Sequence, residues 1–211
     1  MFEGYEKDFY FFKDQINPNA DTIYKLKKFV NMIVDYQKNM NLIGKSTMPN
    51  IWKRHILDSA QIEKFLPKEN KNYITVDVGT GAGFPGMVLA AMGRKDLLLC
   101  EKSTKKNIFL NAVAKECNFR VKMYNDRIEN LRASNIRTII SRAFSPLKSL
   151  ILKVRHCLCW DTTLILHKGK TYMKEIIEAK SLFCFNYECY DSVTNSDAKI
   201  LKINNIKQKN E

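Results

Sequence analysis

The stretch Tyr73–Gly86, Y-I-T-V-D-V-G-T-G-A-G-F-P-G, limits the fold more than any other part of the chain. Tyr73–Val76 and Val78 are β-favouring residues that read as a buried strand, with Asp77 near its end. Gly79, Gly81 and Gly83 follow at every second position. With no Cβ in the way, the backbone there can pass very close to a ligand. Pro85 suits a first helical position, because it has no N–H to leave unsatisfied. Met87–Met92 then reads as a helix packing back on the strand. Strand, glycine turn and helix in succession predict a site for a nucleotide-type cofactor.

Two frames compete for that cofactor. Gly81-x-Gly83-x-x-Gly86 satisfies the dinucleotide fingerprint and points to a nicotinamide or flavin. That fingerprint places its first glycine directly after the strand, whereas Gly79 and Thr80 intervene here. The second frame starts at Asp77, as Asp-x-Gly-x-Gly-x-Gly, and resembles the first motif of Rossmann-like S-adenosylmethionine (SAM)-dependent methyltransferases. In that class the glycines admit the methionine and ribose portions of the cofactor. The plain alternative, a glycine turn with no ligand, is opposed by Glu101. This residue ends the next apolar strand, Leu97–Cys100, eighteen residues beyond Gly83. A carboxylate roughly 20 residues on is where ribose hydroxyls are gripped in such folds. Under either frame Glu101 is the ribose candidate.

The chain divides in its patterning near residue 68. Residues 1–68 read as an N-terminal helical extension without strands, and residues 69–211 as the cofactor-binding domain. In the extension, Asp21 can cap a helix carrying Ile23, Leu26, Phe29, Val30, Ile33 and Val34 at helical spacing. A second helix, entered at Pro49, carries Ile51, Trp52, Ile56, Ser59, Ile62 and Leu66 and stops before Pro67. Beyond residue 68, strands near 73–78, 96–101, 120–124, 137–141 and 162–167 alternate with helices near 85–93, 104–117, 145–158 and 170–181. Phe183–Asp191 and Ala198–Ile203 close the chain as an antiparallel edge hairpin. The expected fold is α/β: a seven-stranded, mostly parallel sheet with helices on both faces. Seven strands favour the class I methyltransferase version of the Rossmann-like fold over the dinucleotide version.

A net charge of +13 points to an anionic partner, for which nucleic acid is the usual choice. The chain is generally rich in Lys, Asn and Ile, a bias that genome composition can produce without selection for binding, which discounts that reading in part. No apolar run approaches the ~18 residues of a membrane span, so no membrane partner is expected. The N-terminal M-F-E-G-Y-E-K-D is too acidic and broken for a secretory signal, and a reduced, cytoplasmic, monomeric protein is expected. Cys100, Cys117, Cys157, Cys159, Cys184 and Cys189 are scattered. Cys157-x-Cys159 has no matching pair, so no metal site is expected.

Open α/β sheets bind ligands beyond the carboxyl ends of their strands. Five loops fall there: Gly79–Phe84, Glu101–Ser103, Asn125–Glu129, Ser141–Phe144 and His167–Lys170. Taken singly, Glu129 reads as a surface charge, Arg142 as the partner of a helix-end carboxylate and Lys168 as a solvated turn residue. Their common placement on one rim is what makes them candidates. Lys105, Lys106 and Lys168 beside the cleft, with Arg54 on the extension, are candidate contacts to RNA phosphates. His55 reads as a structural partner of Asp58, Trp52 as core, and Phe84 as a ring able to stack on a base.

Six blocks in one order resemble the RsmG (GidB) family of small-subunit ribosomal RNA guanine-N7 methyltransferases. They are Asn41-Leu42, Arg54–Ser59 (R-H-I-L-D-S), Asp77–Gly86, Lys105-Lys106-x-x-Phe109-Leu110, Ser141-Arg142-Ala143 and Lys168-Gly169. The resemblance implies a bacterial cytoplasmic enzyme that uses SAM and acts on 16S rRNA or the small ribosomal subunit. It also implies that Gly79 and Phe84 line the SAM site, that Ile128 and Glu129 hold the adenine end, and that Glu101 stands at the family's acidic position. Arg142 is then the candidate for the reaction centre. Guanine N7 offers an in-plane lone pair and carries no proton, so its methylation needs positioning and charge management rather than a strong base. The rival readings are a nicotinamide-dependent oxidoreductase on the first glycine frame and a non-catalytic RNA-binding factor on the same fold.

Overall fold

Alternating side chains build a seven-stranded sheet, seen in a computed structural model that describes residues 3–209. The outermost residues of the two predicted segments, 1–2 and 210–211, lie outside that range. The strands are β1 (Ile74–Val78), β2 (Leu97–Cys100), β3 (Val121–Tyr124), β4 (Ile136–Arg142), β5 (Thr163–Lys168), β6 (Phe183–Asp191) and β7 (Lys199–Gln208). Their order is β3-β2-β1-β4-β5-β7-β6. Strands β1 to β5 are parallel, and β7 runs antiparallel to both β5 and β6. The chain winds outward from β1 to β3 and then returns to place β4 on the other side of β1. Loops leaving β1 and β4 therefore diverge, and the crevice between them is where such sheets take ligands.

The two sheet faces bury different clusters. Leu97, Leu99, Ile140, Ile165 and Ile200 pack on one side, and Val76, Val78, Leu98, Leu164, Leu166 and Leu201 on the other. This period of two, apolar on both faces, is what a strand covered on both sides requires. The second face is covered by α6 (Leu147–Val154) and α7 (Tyr172–Lys180). The first is covered by α4 (Gly86–Ala91), α5 (Thr104–Glu116) and the N-terminal extension.

The extension contains α1 (Glu3–Ile16) and α2 (Ala20–Tyr36). Asn19, not Asp21, caps α2, with its side-chain oxygen accepting from Thr22 N at 2.8 Å. Asp21 lies in the first turn, where a carboxylate complements the helix dipole. The single helix expected from Pro49 onward is broken. It consists of a 3-10 turn (Lys45–Asn50), a wide π-helical stretch (Trp52–Leu57), the short α3 (Asp58–Ala60) and a further 3-10 turn (Glu63–Phe65). Likewise α4 begins after Pro85, which stands as its cap. Trp52 is fully buried against Tyr5, Phe9 and Phe12, with ring centroids 4.8–5.9 Å away. Leu26, Phe29, Ile33 and Ile56 belong to the same cluster as Met87, Leu89 and Phe109. The extension is thus a layer on the sheet and has no separate core. Among the described residues, no helix is long and apolar enough to cross a membrane.

Candidate functional site

A cavity of about 490 Å³ opens beyond the carboxyl ends of β1, β2 and β4, well within the range of small-molecule sites. Its floor is the glycine turn. Gly79 N and Thr80 N both donate to Cys100 O, at 2.9 and 3.2 Å, which ties the turn to the end of β2. Gly79 has φ +69°, and a Cβ there would lie 2.2 Å from Phe144 Cδ2. Below the turn, Asp77 Oδ2 accepts from Thr80 Oγ1 at 2.6 Å and from Gly86 N at 2.8 Å. Burial pushes the Asp77 carboxyl up to about 6, against the pull of those two hydrogen bonds.

This capping decides between the two glycine frames. A pyrophosphate would need free N–H groups at the start of α4. Gly86 N is engaged by Asp77, and Met87 N donates to Gly83 O at 2.8 Å. A buried carboxylate stands where the dinucleotide frame needs an anion cradle.

Glu101 is nearly buried at the cavity wall, as are Ile128 and Phe84. Its Oε2 accepts from Gly81 N at 3.1 Å and its Oε1 from Ser103 N at 2.8 Å. Each carboxylate oxygen keeps a further acceptor site, so the side chain is oriented and still able to take ligand hydroxyls. Ile128 and Glu129 lie in a 3-10 turn at the far wall, fixed where His156 Nε2 donates to Ile128 O at 3.1 Å. The residues present therefore fit SAM: a carboxylate for ribose, an apolar wall for adenine and a glycine turn between them.

Sequence reasoning missed Asn107. Buried on α5, its Nδ2 lies 2.6 Å from Glu101 O, 3.0 Å from Ser103 O and 2.8 Å from Asn125 Oδ1. It knits the loops after β2 and β3 that carry the cavity wall. A polar residue on the apolar side of α5, beside Phe109 and Leu110, was the available signal.

Arg142, at the end of β4, sits at the meeting point of three segments. Its Nη1 donates to Arg54 O at 2.9 Å and to Asp58 Oδ2 at 3.1 Å. Its Nη2 lies 2.7 Å from His55 Nδ1, and the guanidinium stands 4.9 Å from the Phe84 ring centroid. Since arginine only donates, His55 Nδ1 is the acceptor and its proton sits on Nε2. Thr47 Oγ1 donates to Gly44 O at 2.7 Å, and so accepts from His55 Nε2 at 2.8 Å. The ring is locked as one neutral tautomer. Burial, and then the Arg142 charge, hold its pKa down at about 3.

The expected His55–Asp58 pair is accordingly not formed; Arg142 stands between them. The wide π-helical turn places both side chains around the guanidinium, which the R-H-I-L-D-S block alone did not announce. Asp58 Oδ1 also accepts from Thr194 Oγ1 at 2.8 Å and Gln61 Nε2 at 2.9 Å. Burial raises the Asp58 carboxyl, but His167, Arg142 and the hydrogen bonds outweigh it and leave the group below its ordinary value.

A profile of the family described as rRNA small subunit methyltransferase G matches residues 22–204. The chain belongs to that family. It is 38% identical over 187 residues to ribosomal RNA small subunit methyltransferase G of Rickettsia prowazekii (strain Madrid E), covering 89% of this chain and 96% of that one. The Rickettsia typhi (strain Wilmington) relative of the same name is 39% identical over 188 residues, with the same coverage. Among solved structures, magnesium protoporphyrin IX methyltransferase from Synechocystis PCC 6803 with bound SAM aligns with a TM-score of 0.58 at 16% identity. That alignment covers 88% of this chain and 98% of that one. A ribosomal protein L11 methylase from Lactobacillus delbrueckii subsp. bulgaricus aligns at 0.56 and 17%, covering 72% and 78%. At such identities these two show the fold alone, a class I methyltransferase fold. This protein is a SAM-dependent methyltransferase.

The basic candidates do not form one group. Lys106 borders the 490 Å³ cavity, whereas Lys105 is exposed on α5 outside its lining. Arg54 is exposed beside a second cavity of about 350 Å³, which shares His55, Arg142 and Ala143 with the first. Lys168, expected as a rim residue open to RNA, is nearly buried and ion-paired to Glu175 at 2.7 Å. Cys157 is buried and Cys159 exposed, and all six cysteines are free. Among the described residues, no group of three or more His, Cys, Asp or Glu could hold a metal ion.

Proposed function

We propose that this methyltransferase moves the methyl group of SAM to N7 of a guanosine in 16S rRNA. One observation carries the choice of acceptor: His55 and Asp58, the two side chains hydrogen-bonded to the Arg142 guanidinium, are themselves already engaged. His55 accepts at Nδ1 and donates at Nε2, and both Asp58 oxygens accept hydrogen bonds. An acceptor carrying a proton calls for a base poised on that proton, whereas these two groups are committed to holding Arg142. Guanine N7 needs no base.

SAM supplies an electrophilic methyl on a sulfonium. Gly79 and Phe84 border its place, Glu101 accepts from the ribose hydroxyls, and Ile128 with Glu129 bounds the adenine. Arg142 cannot take a proton at working pH; its role is to orient the acceptor and hold charge. Lys105, Lys106 and Arg54 are assigned to RNA phosphates, and binding should weaken steeply as salt rises.

The test is incubation of the protein with methyl-labelled SAM and either small ribosomal subunits or naked rRNA lacking the modification. Digestion then identifies the labelled nucleoside. Label in N7-methylguanosine is the expected result. Label in another nucleoside, or none despite SAM binding, overturns the assignment.

A further inference from the structure

Lys168 closes β5 with an ammonium turned into the protein. Its Nζ donates to Glu175 Oε2 at 2.7 Å and to Ser145 O at 2.9 Å. The side chains of Lys168 and Glu175 are only 8% and 17% exposed. The same Glu175 oxygen accepts from Leu147 N, the first N–H of α6, at 2.9 Å. One ion pair therefore grips both ends of the segment Ser145–Leu147.

The two residues before that segment form part of the cofactor cavity. Ala143 has φ +53°, a left-handed conformation that costs an L-residue with a Cβ roughly 1 kcal/mol or more. A strained residue persists only where its surroundings over-determine it. Phe144 packs so closely on Gly79 that no Cβ fits between them, so its ring also sets the height of the glycine turn. Lys168 does not line this cavity, yet it holds the carbonyl of the residue directly after Phe144.

We propose that Lys168 and Glu175 are positioning residues that fix the Ala143–Phe144 wall and thereby set SAM affinity from outside the cofactor cavity. The inference rests on the reading of that cavity as the SAM site. It separates Lys168 from the phosphate-binding lysines, because two of its three donors are held by Glu175 and Ser145 and the side chain is nearly buried.

SAM affinity is measured by calorimetric titration of the full chain without RNA, and RNA affinity across a salt series. Lys168→Met should weaken SAM about tenfold or more, the size expected for losing charged hydrogen bonds that hold a wall. The salt slope of RNA binding should stay that of the unsubstituted protein. Glu175→Gln, which keeps an acceptor for Leu147 N, should weaken SAM in the same direction. The double variant K168M/E175L exchanges the buried pair for apolar side chains, a change that commonly leaves the fold stable. It should melt close to the parent and still bind SAM weakly, which a merely stabilising role does not predict. Unchanged SAM affinity in these folded variants overturns the inference. A salt slope lowered by about 1 alongside it would make Lys168 a phosphate contact instead. Failure of the unsubstituted protein to bind SAM overturns the cofactor reading itself.

Discussion

Arg142 joins parts of the chain that lie more than eighty residues apart, and its chemistry rests on geometry that only arginine has. Its planar fork meets Arg54 O, Asp58 and His55 together. A lysine keeps the charge but reaches one such partner at a time. Arg142→Lys should lower methyl transfer about 100-fold, measured as kcat/KM with RNA in excess; transfer within threefold of the parent would remove Arg142 from the reaction centre. His55 yields a pH prediction. Its pKa is about 3 in the fold against an ordinary 6.5, so the unfolded chain takes up the proton first as pH falls. The stability from the neutral ring is complete above pH 6.5 and is lost towards pH 3, amounting to about 2 kcal/mol by pH 5. Asp77 acts oppositely. Its folded value of about 6 against 3.8 makes the fold gain stability as pH falls through that interval. In chemical denaturation, His55→Gln should therefore lose about 2 kcal/mol less than the parent between pH 7 and pH 5. Identical pH dependence would mean that the folded ring protonates like a free one.

At the scale of elements, the glycine turn shows why a substitution can fail twice. Gly79→Ala must place a Cβ 2.2 Å from Phe144 Cδ2 and hold φ +69°. The first conflict can be relieved by Phe144→Ala, whereas the second, about 1 kcal/mol, cannot. Gly79→Ala should abolish measurable SAM binding, and G79A/F144A should recover part of the thermal stability without full SAM affinity. Full recovery of binding would show that the Phe144 ring is not needed as a wall. The strand–turn–helix unit was legible because its signals are local: β-favouring residues, glycines at fixed spacing, then a helix. The sheet was legible through short apolar runs alternating with helical stretches. The π-helical stretch was not, since R-H-I-L-D-S at ordinary helical spacing reads as plain α-helix. The side chain that engages its Arg54 carbonyl and its His55 ring is Arg142, far along the chain. The same holds for Lys168, whose burial depends on Glu175 across the start of α7 and on a carbonyl after β4. The last strand runs to Gln208, beyond the expected residue 203, because its polar end pairs with Phe183 and Cys184 at the edge of the sheet.

For the whole molecule, the extension and the sheet share one hydrophobic core. Residues 1–68 read as an N-terminal helical extension because their pattern is purely helical, and in the structure Leu26, Phe29, Ile33 and Ile56 belong to the cluster of Met87, Leu89 and Phe109. The extension also brings Asp58 and His55 to Arg142, and Gln61 to the β6–β7 loop, where its Oε1 accepts from Val193 N at 3.0 Å. A chain starting at residue 69 would expose to water the apolar surface that the extension covers. It would also leave the guanidinium without its carboxylate, a loss of about 3 kcal/mol or more for a buried pair broken on one side. That is a large part of the 5–15 kcal/mol holding a typical domain folded. Residues 69–211 alone should therefore give a broad, non-cooperative denaturation curve, bind an apolar dye and take up no SAM. Supplying residues 1–68 as a separate chain should restore a sharp transition. A fragment that melts cooperatively and binds SAM unaided would show that the sheet and its remaining helices carry a sufficient core, and that the extension serves only the acceptor side of the site.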